Sequence, residues 1–437
     1  MRKRPLGRFG RMATSLVSTA LLGLGLSAPA PAGDAPAPAE TETVQILDAA
    51  KSGDLNVTVR GAGESRVKFT IQNKTSKRLN VVIPPGLVAA SATGQGFQSM
   101  GLGMPTANLG SFGAFRGNRA DAAGFRSMPT TASTPEGLAV SPGQTIEVPV
   151  PSVCLNFGLP TPTAKNVFDL KDVESYSPDA RVRRALKSLA TLGTSQTVAQ
   201  AAMWHVCNGM SYDQLARQDV VSFNAHELAQ AARFIEALDT SSSELVDPAY
   251  FQSGRLLLTL HGEGLSGKDA KRIAADLDGV RMMGLPIKLV TDLDGVEARP
   301  GTTLLSATIL ASKPGGTTTR VAVRVASAGG EWVALGHFDV RSAPSISELT
   351  AAGLAADLGR GAAKAFVTVT PVRRVPGTTT VKITNRLPMT IANLTLKTGK
   401  AGDAVQVDAV GIGPARSATV GVPAASAVVD TVELNGL

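Results

Sequence analysis

Two cysteines and four histidines in 437 residues leave little material for metal chemistry. No H-E-x-x-H or C-x-x-C pair occurs, and His226, His261 and His337 stand alone, so neither a zinc centre nor a cofactor is expected. Aromatic residues make up only 4% of the chain, so a core must be assembled mainly from Val, Leu, Ile and Ala. No G-x-S-x-G lies beside a usable Ser, His and Asp set, which excludes a hydrolase elbow of that kind. Positive charge is also scarcer than the formal net of +8 suggests: Arg2, Lys3, Arg4, Arg8 and Arg11 sit in an apparent leader, and +3 remains without them. That surplus is too small to predict a nucleic-acid partner.

The leader reads as a signal peptide over residues 1–32. "MRKRPLGRFGR" is basic, "MATSLVSTALLGLGL" is apolar, and the small residues Ala28, Ala30 and Ala32 suit cleavage. Export follows, with the protein secreted or held in the periplasm or cell envelope; left uncleaved, the leader would serve as a membrane anchor. Residues 33–42 continue as a Pro/Ala linker, extended and semi-rigid.

Beyond it the pattern predicts an α+β multi-domain chain. Residues 43–155 carry short runs such as "LNVTVRG", "SRVKFTIQN" and "QTIEVPVPSVC" that alternate apolar and polar side chains, as an Ig-like β-sandwich requires. Residues 93–131, rich in Gly and Met, interrupt them and read as a flexible insertion. Its Phe97, Met100, Met104, Phe112, Phe115 and Phe125 would either do nothing or form an adhesive surface. Residues 156–240 turn helical: Ser177, Pro178 and Gly193 bracket one helix, and Ser211 with Gln214 and Asn224 with Glu227 form capping boxes. Leu228, Ala231, Ile235 and Leu238 share one face of the last helix. Residues 241–363 mix strands and helices as an α+β module, and 364–437 return to strands, predicting a C-terminal β-sandwich of Ig-like type. There "VKITN" (381–385) echoes "VKFTIQN" (67–73), each followed by a turn and another strand.

Chemistry concentrates in "TVAQAAMWHVCNGMS", residues 197–211. On a helix Gln200, Trp204 and Cys207 share a face, whereas His205 lies ~200° from Cys207 and cannot activate it. Asn208-Gly209 supplies a C-cap. An oxidising compartment predicts that Cys154 and Cys207 pair in a disulfide, worth about 4 kcal/mol in the chain-entropy model; two buried free thiols are the alternative.

"PSVCLNFGLPTP" followed by "VAQAAMW" resembles the thioester domains of Gram-positive surface adhesins, which carry a Cys and a T-Q-x-x-apolar-W helix. It also resembles a broader set of uncharacterised exported bacterial proteins with a strand-rich N-terminal module containing I-P-P-G, then the Cys and a helical segment. The resemblance spans roughly residues 55–220. It implies an internal acyl transfer in which the Cys154 thiol attacks the Gln200 carboxamide and releases ammonia, with Trp204 in the helix motif excluding water. A cysteine hydrolase built on Cys154 and His205, with Asn208 as third member, is a further alternative.

Two other motifs have plainer explanations beside their functional ones. Gly262, Gly264, Gly267 and Lys268 fit part of a phosphate-binding loop, but Glu263 and Asp269 oppose phosphate and magnesium, and Ser266 with Asp269 fits a helix cap. "DLDGV" occurs at 276–280 and 292–296, where Asp-Gly signals a turn more readily than a calcium loop. The expectation that emerges is an exported binding or scaffold protein without catalytic activity, whose partner is an unknown protein or surface polymer.

Overall fold

The computed structural model describes residues 41–435 apart from 92–95, 104–136, 193, 248–255, 264–265, 292–295, 299–302, 313–315, 328–329, 377, 399–402, 408–410 and 423–425. The leader with Ala28, Ala30 and Ala32, most of the Pro/Ala linker, and Met104, Phe112, Phe115 and Phe125 lie outside these residues. So do Gly264 and most of the second D-L-D-G-V. The described chain is mixed α+β, with eight α-helices and several sheets.

Its first half begins with strand β1 (Thr41–Gln45), helix α1 (Ile46–Ser52) and strands β2 (Leu55–Gly61), β3 (Arg66–Asn73), β4 (Arg78–Val82) and β5 (Leu87–Ala90). Strands β6 (Met100–Leu102), β7 (Leu138–Val140), β8 (Thr145–Cys154) and β9 (Val167–Asp172) complete it. Alternation works as the sequence predicts: along β3, Val67, Phe69 and Ile71 are buried between half-buried neighbours. The expected two-sheet sandwich takes another form, however. Strands β2-β3-β8-β6-β5-β9 close into a barrel, and β1-β4-β7 form a separate three-stranded sheet. Closure depends on the pairing of Val59 with Phe168 between β2 and β9, strands too far apart in sequence for a local pattern to reveal. The insertion also contributes to the barrel. Phe97 and Met100 are core residues, Phe97 meeting Phe168 edge to face at 5.2 Å, so neither belongs to an adhesive surface.

Six helices belong to this half: α1 above, then α2 (Val173–Tyr176), α3 (Ala180–Leu192), α4 (Gln196–Asn208), α5 (Tyr212–Ala216) and α6 (Ala225–Thr240). Both capping boxes form, Ser211 with Gln214 and Asn224 with Glu227. Helix α3 starts two residues later than the Ser177 signal suggests; the Asp179 carboxylate takes the N–H of Arg181, and the Ser177 hydroxyl instead accepts from Asp179. One apolar cluster runs from Ile46 to Val246, through the barrel and α3, α4 and α6, so the helices share the core of the strands.

A second cluster runs from Leu256 to Leu434. Strands β10 (Leu256–Glu263), β11 (Arg281–Met282), β12 (Leu285–Leu289), β13 (Thr303–Ser312), β14 (Gly316–Ala326) and β15 (Trp332–Ala343) form one six-stranded sheet in the order β11-β12-β10-β13-β14-β15. Helices α7 (Gly267–Leu277) and α8 (Ala351–Phe366) add Ile273, Leu354 and Leu358 to the same core. The tail supplies β16 (Val367–Val375), β17 (Thr378–Asn385), β18 (Thr390–Thr398), β19 (Asp403–Val407), β20 (Ser417–Val422) and β21 (Ala427–Asn435), arranged as three-stranded sheets β16-β17-β20 and β19-β18-β21.

The echo between "VKFTIQN" and "VKITN" marks a shared device. Asn73 and Asn385, each ending a strand, are fully buried. Each Oδ1 accepts the N–H two residues on, from Thr75 at 2.9 Å and from Leu387 at 2.8 Å. Each Nδ2 donates to the carbonyl four residues on, Lys77 or Met389, and to a carbonyl distant in sequence, that of Val140 in β7 or of Ile412, which bridges to Ile391. After each distant contact comes a turn with proline second, Ser141-Pro142-Gly143-Gln144 or Gly413-Pro414-Ala415-Arg416. Both turns close by a hydrogen bond from the fourth N–H to the first carbonyl, and both put the third residue at positive φ, 67° for Gly143 and 58° for Ala415.

Candidate functional site

The geometry around the opening motif follows from how β8 ends. Strand β3 accompanies β8 as far as the pair Arg66 and Pro151, and Ser152 then donates its N–H to Ser65. On the other side β6 continues the ladder, with Met100 opposite Cys154. One edge of Cys154 is left without a strand, and a buried main-chain amide without a partner is costly. Gln200 fills the gap. Its Oε1 accepts the Cys154 N–H at 2.8 Å and its Nε2 donates to the Cys154 carbonyl at 2.9 Å, so the carboxamide acts as one more peptide unit of the sheet.

That contact belongs to a longer stripe. Gln196 donates to the Ser152 carbonyl, Trp204 meets Phe157 edge to face at 4.9 Å, and the Asn208 Oδ1 accepts the Phe157 N–H at 3.3 Å. Residues 196, 200, 204 and 208 recur every fourth position along α4. Four helical residues advance about 6 Å and two strand residues about 6.6 Å, so Gln196 and Gln200 meet alternate β8 residues, Ser152 and Cys154, while Trp204 and Asn208 both reach Phe157 just beyond the strand. Phe223 closes over the other side of the Trp204 ring at 6.0 Å, leaving the indole buried. Sequence reasoning found Gln200 and Trp204, gave Asn208 only a capping or hydrolase role, and missed Gln196. The signal that would have found it was Gln-x-x-x-Gln-x-x-x-Trp-x-x-x-Asn.

Both cysteines are free thiols, and the expected disulfide is not formed. Gln200 lies against Cys154, while Cys207 is seven residues farther along α4, a rise of about 10.5 Å. A bridge requires Cα atoms about 4.4–6.8 Å apart. The Cys154 Sγ instead donates to the Glu64 carbonyl at 3.4 Å. Burial, with a smaller contribution from the Glu64 charge, pushes the Cys154 thiol up to about 12. Burial and then Asp179 push Cys207 up to about 12 as well. Both therefore keep their protons at neutral pH, and a thiol in that state is a poor nucleophile. His205 is engaged elsewhere: its Nδ1 lies 2.8 Å from the Met210 carbonyl and its ring stacks on Tyr212 at 5.0 Å.

A second polar cluster lies where the two cores meet. Glu227, buried completely, takes the N–H of Asn224 at 2.9 Å and the Thr197 hydroxyl from α4. Arg416 adds a bidentate pair, Nε to Oε1 at 2.9 Å and Nη2 to Oε2 at 2.8 Å, and also donates to the Ser222 carbonyl. Asn224 donates onward to the Pro414 carbonyl at 3.2 Å. The sequence identified Glu227 as a cap only, and its guanidinium partner lies 189 residues away.

Elsewhere the plainer explanations of the weak motifs match the geometry. The Ser266 hydroxyl accepts the Asp269 N–H at 3.1 Å, capping α7. Gly279 takes φ of 78° in a turn after the helix. Among the described residues no group of three His, Cys, Asp or Glu side chains could hold a metal, and no helix is long and apolar enough to cross a membrane. No family model matches the chain, and no curated protein matches it.

Proposed function

We propose that the protein is an exported, non-catalytic binding or scaffold protein of the envelope or extracellular space, with an Ig-like module in its C-terminal strands. The observation that carries this reading is the engagement of Gln200: both polar atoms of its carboxamide are bonded to the Cys154 main chain. The motif closest to reactive chemistry thus serves as a joint between a helix and a strand, and the adjacent thiol stays protonated. Modules joined in this way present loops and sheet edges to a protein or surface polymer.

A second reading is the internal thioester, favoured by the proximity of Gln200 to Cys154. Non-reducing intact mass of protein recovered from the export compartment separates the two. The scaffold reading expects two titratable thiols and a mass equal to the sequence without its leader. A deficit of about 17 Da that methylamine converts to an excess of about 14 Da, with release of the Cys154 thiol, would establish the thioester instead, and a deficit of about 2 Da a disulfide. Hydrolysis of ester or peptide substrates that disappears in Cys154→Ala would overturn both in favour of a cysteine hydrolase.

A further inference from the structure

The turn Gly413–Arg416 comes from the second core but grips two helices of the first. Besides the Arg416 pair with Glu227, the turn presses close to the N-cap of α4: a Cβ added at Gly413 would stand 3.1 Å from the Ser195 Cβ. Thr197, in the first turn of α4, shares the same carboxylate. Continuous with these contacts, α4 carries Gln196 and Gln200, which hold the main chain of Ser152 and Cys154. Each link is a direct contact, so the guanidinium and the main chain of the buried Cys154 lie at opposite ends of one physical chain.

We propose that this turn is a strap that keeps Cys154 covered, and that parting of the two cores at Arg416 is the route by which the thiol becomes exposed. Removing the guanidinium leaves a fully buried carboxylate with only neutral donors. Such a group draws in water or repacks its surroundings. Its surroundings here are the first turns of α4 and α6, and loosening α4 withdraws Gln200 from the open edge of β8. The proposal goes beyond a passive scaffold, because it makes displacement of one half of the molecule readable as a chemical change in the other.

The test is the rate of N-ethylmaleimide labelling at Cys154 and at Cys207 in the full chain, followed by peptide mass mapping under native conditions. Arg416→Gln is expected to speed labelling of Cys154 by about tenfold or more, with a much smaller effect at Cys207. Arg416→Lys, which keeps the charge and is the milder change should the first variant fold poorly, is expected to give an intermediate rate. Leu354→Ala loosens the second core without touching the strap and is expected to leave the Cys154 rate unchanged. Unaltered labelling of Cys154 in both Arg416 variants would overturn the proposal. So would a parallel rise at both cysteines that Leu354→Ala reproduces.

Discussion

The turns that follow Asn73 and Asn385 share one hydrogen-bonding plan but differ in what they touch. Ser141–Gln144 is exposed at every position, and the Gln144 side chain folds back to accept the Ser141 N–H at 2.8 Å. Gly413–Arg416 is pressed against α4 and α6, with its last side chain extended into Glu227. Three of the four positions differ, Gly413 replacing Ser141 where the turn presses on Ser195, and the other two mark the divergence further. Arg416 stands where Gln144 stands in the first turn, and Ala415 adopts the left-handed conformation that Gly143 adopts without strain. A shared strand-turn device is therefore closed locally in one half of the molecule and used as a fastening in the other.

The comparison can be broken most severely at the fastening. Arg416→Ala strands a fully buried carboxylate and is expected to cost about 3–5 kcal/mol, measured by chemical denaturation; Glu227→Ala leaves a guanidinium that is one-third exposed and is expected to cost less. Gln144→Ala in the exposed turn is expected to fall within about 0.5 kcal/mol of the parent. Next come the asparagines. Asn73→Ala and Asn385→Ala leave buried carbonyls and an N–H unmet, and about 2–3 kcal/mol is expected for each. Double-mutant cycles with Arg416→Ala sharpen the contrast, because the Asn385 Nδ2 also holds the Gly413 carbonyl at 3.1 Å. Coupling above about 0.5 kcal/mol is expected with Asn385 and additivity with Asn73.

The smallest effects concern backbone strain and the thiols. Ala415→Gly is expected to stabilise by up to about 1 kcal/mol and Gly143→Ala to destabilise by a similar amount, in thermal unfolding. Both thiols bind their protons more tightly folded than unfolded, with folded values up to about 12 against an ordinary 9.0. Their contribution is whole below the ordinary value and declines as pH climbs from there toward the folded value. Cys154→Ala is expected to flatten that alkaline decline; a decline of undiminished slope would place its cause in other groups.

Local signals were legible and distant ones were not. The Asn224 and Glu227 cap could be read because both partners sit within one helical turn, and the alternation of "SRVKFTIQN" appears unchanged as β3. Strand β6 escaped detection because three residues, Met-Gly-Leu, are too short to show a period. The barrel closes through pairs remote in sequence, and the partnership of Arg416 with Glu227 has no local trace. The echo around Asn73 and Asn385 lay between these extremes: the letters hinted at repetition, while only the shared offsets of two and four residues gave it physical meaning.

The stripe on α4 behaves like the teeth of a rack meshed with the end of β8 and the residues after it, and a mesh tolerates changes of tooth better than changes of spacing. Losing one residue between Gln200 and Trp204 would rotate everything beyond it by about 100° and shift it by about 1.5 Å. Trp204 and Asn208 would then face away from Phe157 while Gln200 stayed engaged. Length in this helix is thus held more tightly than identity, and a one-residue deletion there is expected to do more harm than any single replacement along the same face.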